Sequence, residues 1–134
     1  MKKVLIPTKL DNVAAEILQK NAYEVIQDND SDLMTLALNN PDTEAMIVRS
    51  EKITAEIIDA LPKLRCVVRA GAGYNTIDIN YARRKNVDVM NTPGANANAV
   101  AEEVFAMALA AYRHLVPADI STRAGAWEKK NYMG

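Results

Sequence analysis

The sequence predicts an α/β protein built on a doubly wound, five-stranded parallel sheet, followed by a long apolar helix and an arm. Three observations carry that prediction. Short β-rich runs alternate with longer amphipathic ones, the pattern of a parallel sheet with helices on its faces. Several of the runs lead straight into glycine, polar or proline residues that mark a strand's carboxyl end. The 134 residues, 49 % apolar and 25 % charged, suffice for about one domain with a core of its own.

In chain order, the strands fall at residues 3–7, 24–27, 45–49, 66–70 and 87–91, and helices fill residues 12–21, 31–39, 54–61 and 77–85. The first strand is the run Val4-Leu5-Ile6, which stops at Pro7. In the third helix Thr54 offers a cap, Ile57, Ile58 and Leu61 form a buried stripe, and Pro62 ends the segment. Strands that each lead into a helix suggest a flavodoxin-like sheet ordered 2-1-3-4-5, in which ligands sit beyond the carboxyl ends of the strands.

Residues 100–115 differ in character. Val100, Val104, Phe105, Met107, Ala108, Leu109, Ala111, Tyr112 and Leu115 cover most of a helix circumference, interrupted by Glu102, Glu103, Arg113 and His114. A helix apolar nearly all round needs cover on more than one side, so a second domain or a second chain is expected against it. After Pro117 a small polar arm is expected, running through Trp127 to Gly134.

The candidate site follows the fourth strand, where Arg69 leads into Ala70, Gly71, Ala72 and Gly73. Glycines let backbone approach a ligand closely and adopt conformations that side chains forbid, so successive N–H groups can converge on a carboxylate or phosphate. Arg69 adds a fixed charge with a bidentate fork. Thr76 stands where a dinucleotide fingerprint needs its third glycine, so the turn reads as a small-anion site. Arg49 and Ser50 after the third strand, and the Asn91-Thr92-Pro93 turn after the fifth, would open on the same crevice.

Composition narrows the classes. A net charge of −1 argues against nucleic-acid and membrane partners. A single cysteine, Cys66, excludes an internal disulfide and a cysteine-rich metal site, and its apolar run makes it a core residue. The short apolar run after Lys2 and Lys3 falls far short of a signal peptide's core, so a cytoplasmic protein is expected. The helix-borne His114 reads as a surface or interface residue. Arg83-Arg84 and Lys129-Lys130 read as solvated faces.

Taken together, Ile47-Val48-Arg49-Ser50, then Val68-Arg69-Ala70-Gly71-Ala72-Gly73 running to Asp78, then Val89-Met90-Asn91-Thr92-Pro93 and Val100-Ala101-Glu102 resemble the N-terminal part of the NAD-dependent D-2-hydroxyacid dehydrogenases, most of all those that oxidise 3-phosphoglycerate. The resemblance implies a flavodoxin-like substrate domain over residues 1–98, lacking a returning C-terminal segment. It makes residues 99–134 an interdomain and dimerisation helix with its arm, and it implies that the cofactor domain and the catalytic residues lie further on. NAD would then serve the parent enzyme and not this chain, which is expected to be inactive alone. By the same resemblance, Ala70, Gly71 and Ala72 bring N–H groups to the substrate carboxylate, with Gly73 completing the turn. Arg49 and Arg69, with Ser50 beside them, hold the phosphate of a small phosphorylated hydroxy acid. Asn91, Thr92 and Pro93 form the hinge. Lys129, standing where arginine is familiar, approaches the substrate of the other subunit. A homodimer or swapped dimer through residues 100–115 is the expected assembly. The alternative from a different class is a stand-alone flavodoxin-like anion-binding or dimerisation module.

Overall fold

In the computed structural model, which describes residues 1–134, the chain forms β1 (Lys2–Ile6), α1 (Val13–Lys20), β2 (Tyr23–Gln27), α2 (Leu33–Asn39), β3 (Thr43–Val48), α3 (Ala55–Ala60), β4 (Cys66–Arg69), α4 (Ile79–Arg84), β5 (Asp88–Asn91), α5 (Ala97–Tyr112) and α6 (Leu115–Arg123), then a 3-10 turn at Lys129–Tyr132. The strands pair in parallel in the order β2-β1-β3-β4-β5, as the alternation of apolar runs predicts. By contacts the chain divides into two compact units, Met1–Gly94 and Ala95–Gly134.

Strand register explains the first unit's core. Leu5 stands beside Met46, Met46 beside Val67 and Val67 beside Val89. Period-2 alternation sends this whole row to one face. There it meets Leu36, Ala37, Ile57, Ile58 and Ala82 of α2, α3 and α4, together with Ile53 and Leu61 from the flanking loops. Leu5, Met46 and Val67 are completely buried. Residues of the other parity, Ala45, Ile47, Cys66 and Val68, face a groove of about 430 Å³ that Leu18 of α1 also lines. Helices therefore lie on both faces, with α1 on one and α2 to α4 on the other.

Local chemistry sets the helix starts. Asp32 and Asp78 cap α2 and α4, their carboxylates accepting from Thr35 N and Tyr81 N. Thr54 occupies the cap position of α3 as expected, but its hydroxyl caps nothing. On the outer surface Tyr81 donates to Asp59 at 2.7 Å and Lys85 pairs with Asp59 at 3.2 Å, so α3 and α4 are joined side to side.

The second unit departs from expectation. The single long helix over residues 100–115 is instead α5, ending at Tyr112, followed by α6 in place of the polar arm. The break falls at Arg113 and His114, where His114 takes a left-handed conformation with φ 51°. Pro117 supplies the reason. In a continuous helix its ring would clash with the carbonyl of Arg113 four residues back. Breaking at His114 moves Pro117 into the first turn of a new helix, where a missing N–H costs nothing. Beyond α6, Glu128 accepts hydrogen bonds from Ser121 at 2.6 Å and Tyr132 at 3.3 Å, which ties the 3-10 turn to α6. α5 buries none of its residues, and Val100, Val104, Phe105, Leu109 and Tyr112 are all more than half exposed.

Candidate functional site

β3 ends at Val48, β4 at Arg69 and β5 at Asn91, and these strand ends are neighbours in register, with Val48 beside Arg69 and Arg69 beside Asn91. Arg49 and Ala70 therefore stand one residue past their strands on the same carboxyl edge. Hydrogen bonds lace the edge together. Ala70 N donates to Val48 O at 2.8 Å, Thr92 N to Gly71 O at 2.9 Å and Asn91 Nδ2 to Ala72 O at 2.7 Å. Asn91 and Thr92, read from the sequence as a hinge, are thus the struts that hold residues 71–72 in place. Pro93 lies just beyond and is exposed.

The turn itself differs in detail from the expected cradle. Ala70 N is consumed by β3, and Gly71 N closes onto Arg69 O at 2.9 Å. The N–H groups of Ala72 and Gly73 make no hydrogen bond within the chain, so of the three expected donors only that of Ala72 is free, and Gly73 adds a second. Conformational freedom is not what Gly71 supplies either, because its φ is not positive. Space is. A Cβ at Gly71 would collide with the Arg69 guanidinium, which folds back over the turn. Arg69 Nη1 donates to Ala70 O at 3.1 Å, while its Nε is sealed from solvent without a partner. The guanidinium is thereby positioned by its own strand end and keeps donors unspent.

Arg49 and Ser50 are exposed. Arg49 lies one residue past Val48, in a bend beyond β3, and strand alternation continued to it would set its side chain on the face opposite to that of Arg69. They approach a common ligand only by curling over the strand ends. Sequence reasoning passed over Glu51, whose carboxylate accepts from Arg49 N at 2.7 Å and brings negative charge to the lip of the site. A motif search for anion donors does not weigh such a residue, though its place two residues after Arg49 was visible. Lys129 sits exposed at the start of the 3-10 turn of the second unit.

Other groups drop out on their surroundings. Burial pushes the Cys66 thiol up, away from reactive thiolate. His114 marks the α5–α6 break and bears on no carboxylate. No group of three or more His, Cys, Asp or Glu residues is placed to hold a metal. No helix is long and apolar enough to cross a membrane. A dinucleotide does not fit the turn at residues 71–73. No helix opens there to meet a pyrophosphate, and the N-terminus of α4 is already capped by Asp78.

Comparison with known proteins agrees with this architecture. The model for D-isomer specific 2-hydroxyacid dehydrogenase, catalytic domain, matches residues 4–123. D-3-phosphoglycerate dehydrogenase of Archaeoglobus fulgidus is 38 % identical over 133 residues, which are 98 % of this chain and 25 % of that protein. Hydroxypyruvate reductase of Thermotoga maritima is 38 % identical over 136 residues, covering 98 % of this chain and 44 % of that protein. The crystal structure of NAD+-bound 3-phosphoglycerate dehydrogenase from Entamoeba histolytica superimposes with a TM-score of 0.71 at 36 % identity, over 84 % of this chain and 39 % of that one. The chain thus spans about a quarter of the length of the phosphoglycerate dehydrogenases it matches. With the flavodoxin-like sheet order and a match across nearly its whole length, the chain belongs to the D-isomer specific 2-hydroxyacid dehydrogenase family.

Proposed function

We propose that this chain is the substrate-binding part of a 2-hydroxyacid dehydrogenase that takes 3-phosphoglycerate and oxidises it to 3-phosphooxypyruvate, and that it is inactive alone. The observation that carries this reading is the shared carboxyl edge of β3, β4 and β5, where a pre-positioned Arg69, the exposed Arg49 and the free N–H groups of Ala72 and Gly73 stand within four residues of a strand end. In this reading the substrate carboxylate lies on the N–H groups at residues 72–73, where backbone donors fix its orientation without a counter-charge to desolvate. Arg49 and Arg69 clamp the phosphate from the two sides of the edge, with the Ser50 hydroxyl beside them. A nicotinamide would supply hydride acceptance. It would come from outside the residues described, because the Gly71–Gly73 turn does not fit a dinucleotide. Asn91 and Thr92 keep the turn registered against β5 as the hinge at residues 91–93 moves.

A two-dimensional amide titration tests the reading, with 3-phosphoglycerate compared with D-lactate and sulfate at matched ionic strength. Saturable shifts at Arg49, Arg69 and residues 71–73 with 3-phosphoglycerate alone are expected, and Gly71→Ala, which obliges the Arg69 guanidinium to move, should weaken them. Identical shifts with sulfate would overturn it.

A second reading is favoured by the exposed apolar residues of α5 and α6, Phe105, Leu109, Leu115 and Ile120 among them. In it the second unit is a dimerisation element in which two copies exchange these helices, and Lys129 serves the partner's substrate. Light scattering across a dilution series distinguishes a dimer that dissociates from a monomer.

A further inference from the structure

Two polar side chains lie in the buried interior of this chain, Thr43 with no exposure and Thr8 with 7 %. Their circumstances differ. The Thr43 hydroxyl donates to Asn40 O at 2.7 Å, as a buried hydroxyl should. The Thr8 hydroxyl makes no hydrogen bond within the chain. It is also not among the atoms sealed from solvent without a partner, which are Arg69 Nε and Thr76 Oγ1. An unpartnered hydroxyl that is not sealed faces outward, so the small exposed part of Thr8 includes its donor.

Its place in the fold gives that donor a use. Val4 stands beside Ala45 and Leu5 beside Met46. Carried past the end of β1, this register sets Thr8 alongside Arg49, and the β3–β4–β5 register continues the row through Ala70 and Thr92. Adjacent strands are about 4.8 Å apart. The alternation of β1 and β3, continued past their ends at Ile6 and Val48, would also set Thr8 and Arg49 on the same side, with Arg69 on the other. β1 and β3 flank the point where strand order reverses, with α1 running off one face and α2 to α4 covering the other. The chain parts there and leaves a crevice.

We propose that Thr8 is a specificity-determining ligand of the anion site, its hydroxyl donating to a phosphate oxygen held by Arg49. This rests on the function proposed above and adds a fourth strand end, that of β1, to a site otherwise built from β3, β4 and β5. A neutral donor suits the position. It supplies a hydrogen bond to the anion beside the negative lip made by Glu51, and it is pre-organised because the rest of Thr8 is packed in the interior.

Calorimetric titration of 3-phosphoglycerate into the wild type, Thr8→Val, Thr8→Ser and Arg49→Ala tests this. Thr8→Val keeps the shape and removes the donor, so binding should weaken on the order of tenfold. Thr8→Ser restores the hydroxyl and should bind nearly as the wild type does. If Thr8→Val does not fold, Thr8→Ala carries the same comparison. Wild-type affinity in a folded Thr8→Val variant, with Arg49→Ala still weakened, would overturn the role of Thr8 and leave the anion site standing. No difference between 3-phosphoglycerate and sulfate in the wild type would overturn both.

Discussion

The two compact units of this chain spend their apolar residues in opposite ways. Met1–Gly94 contains all sixteen buried apolar residues, whereas Ala95–Gly134 contains none, although its helix α5 is more apolar than either α1 or α6. A parallel sheet explains the first. Each strand hands alternate residues to a common face, and connecting helices are short enough to fold back over it. A pair of helices has no such arrangement. α5 is about 24 Å long, and α6, its one helical neighbour within the unit, has only one face to offer. Burial in the first unit is internal, and in the second it has to come from another surface. The core that stabilises the chain therefore lies in one unit, and most of the exposed large apolar side chains lie in the other.

The contrast can be broken most sharply at Met46, which is completely buried at the centre of the sheet. Met46→Ala should cost about 2–5 kcal/mol in chemical denaturation of the first unit. A loss below ~1 kcal/mol would mean that the core is looser than its burial implies. Phe105→Asp with Leu109→Asp makes the opposite test. Denaturation of the isolated chain should change little, because both side chains are exposed, while any concentration-dependent association should be lost. If neither thermal stability nor oligomeric state moves, the apolar face has no role in assembly.

A smaller effect is expected at the helix break. His114→Gly removes the cost of a left-handed side-chain residue and should raise the stability of the second unit by about 1 kcal/mol. A drop in melting temperature would argue for a straight helix through residues 112–116 in solution.

The smallest effect sits on the surface of the first unit. The Tyr81 hydroxyl beside Asp59, with Lys85 next to it, holds the Asp59 carboxyl below its ordinary value. A lowered folded value stabilises the fold above the unfolded carboxylate range, and that contribution is lost as pH falls through the folded value. Stability of the wild type should therefore decline below about pH 4 more steeply than that of Asp59→Asn. Superimposable acid limbs would show that the exposed Tyr81–Asp59 contact is screened to nothing.

Much of the fold was legible because its causes are local. Period-2 apolar runs and their turn residues mark all five strands within one or two residues, and proline marks the end of the third helix. Pro117 was legible too, yet a polar arm was read after it where it sits in the first turn of a new helix, since proline is forbidden in a helix interior and welcome in its first turn. At the candidate site, residue types and positions could be read directly. The donors left free could not, because Ala70 N and Gly71 N are spent on partners that depend on strand pairing.

The amino-acid order alone therefore determined the element sequence through β5, the flavodoxin-like class, the arginines at the strand ends and an apolar segment after them. Periodicity, capping and turn chemistry act over a few residues, and a short window of sequence contains them. Only the tertiary structure decided that the Arg69 guanidinium lies over Gly71, that Asn91 and Thr92 are struts, that Glu51 borders the site and that the ends of β1 and β3 lie side by side. These are relations between strand ends that lie 19 to 41 residues apart, or between side chains and backbone groups already spoken for. They exist only once parallel pairing sets the register.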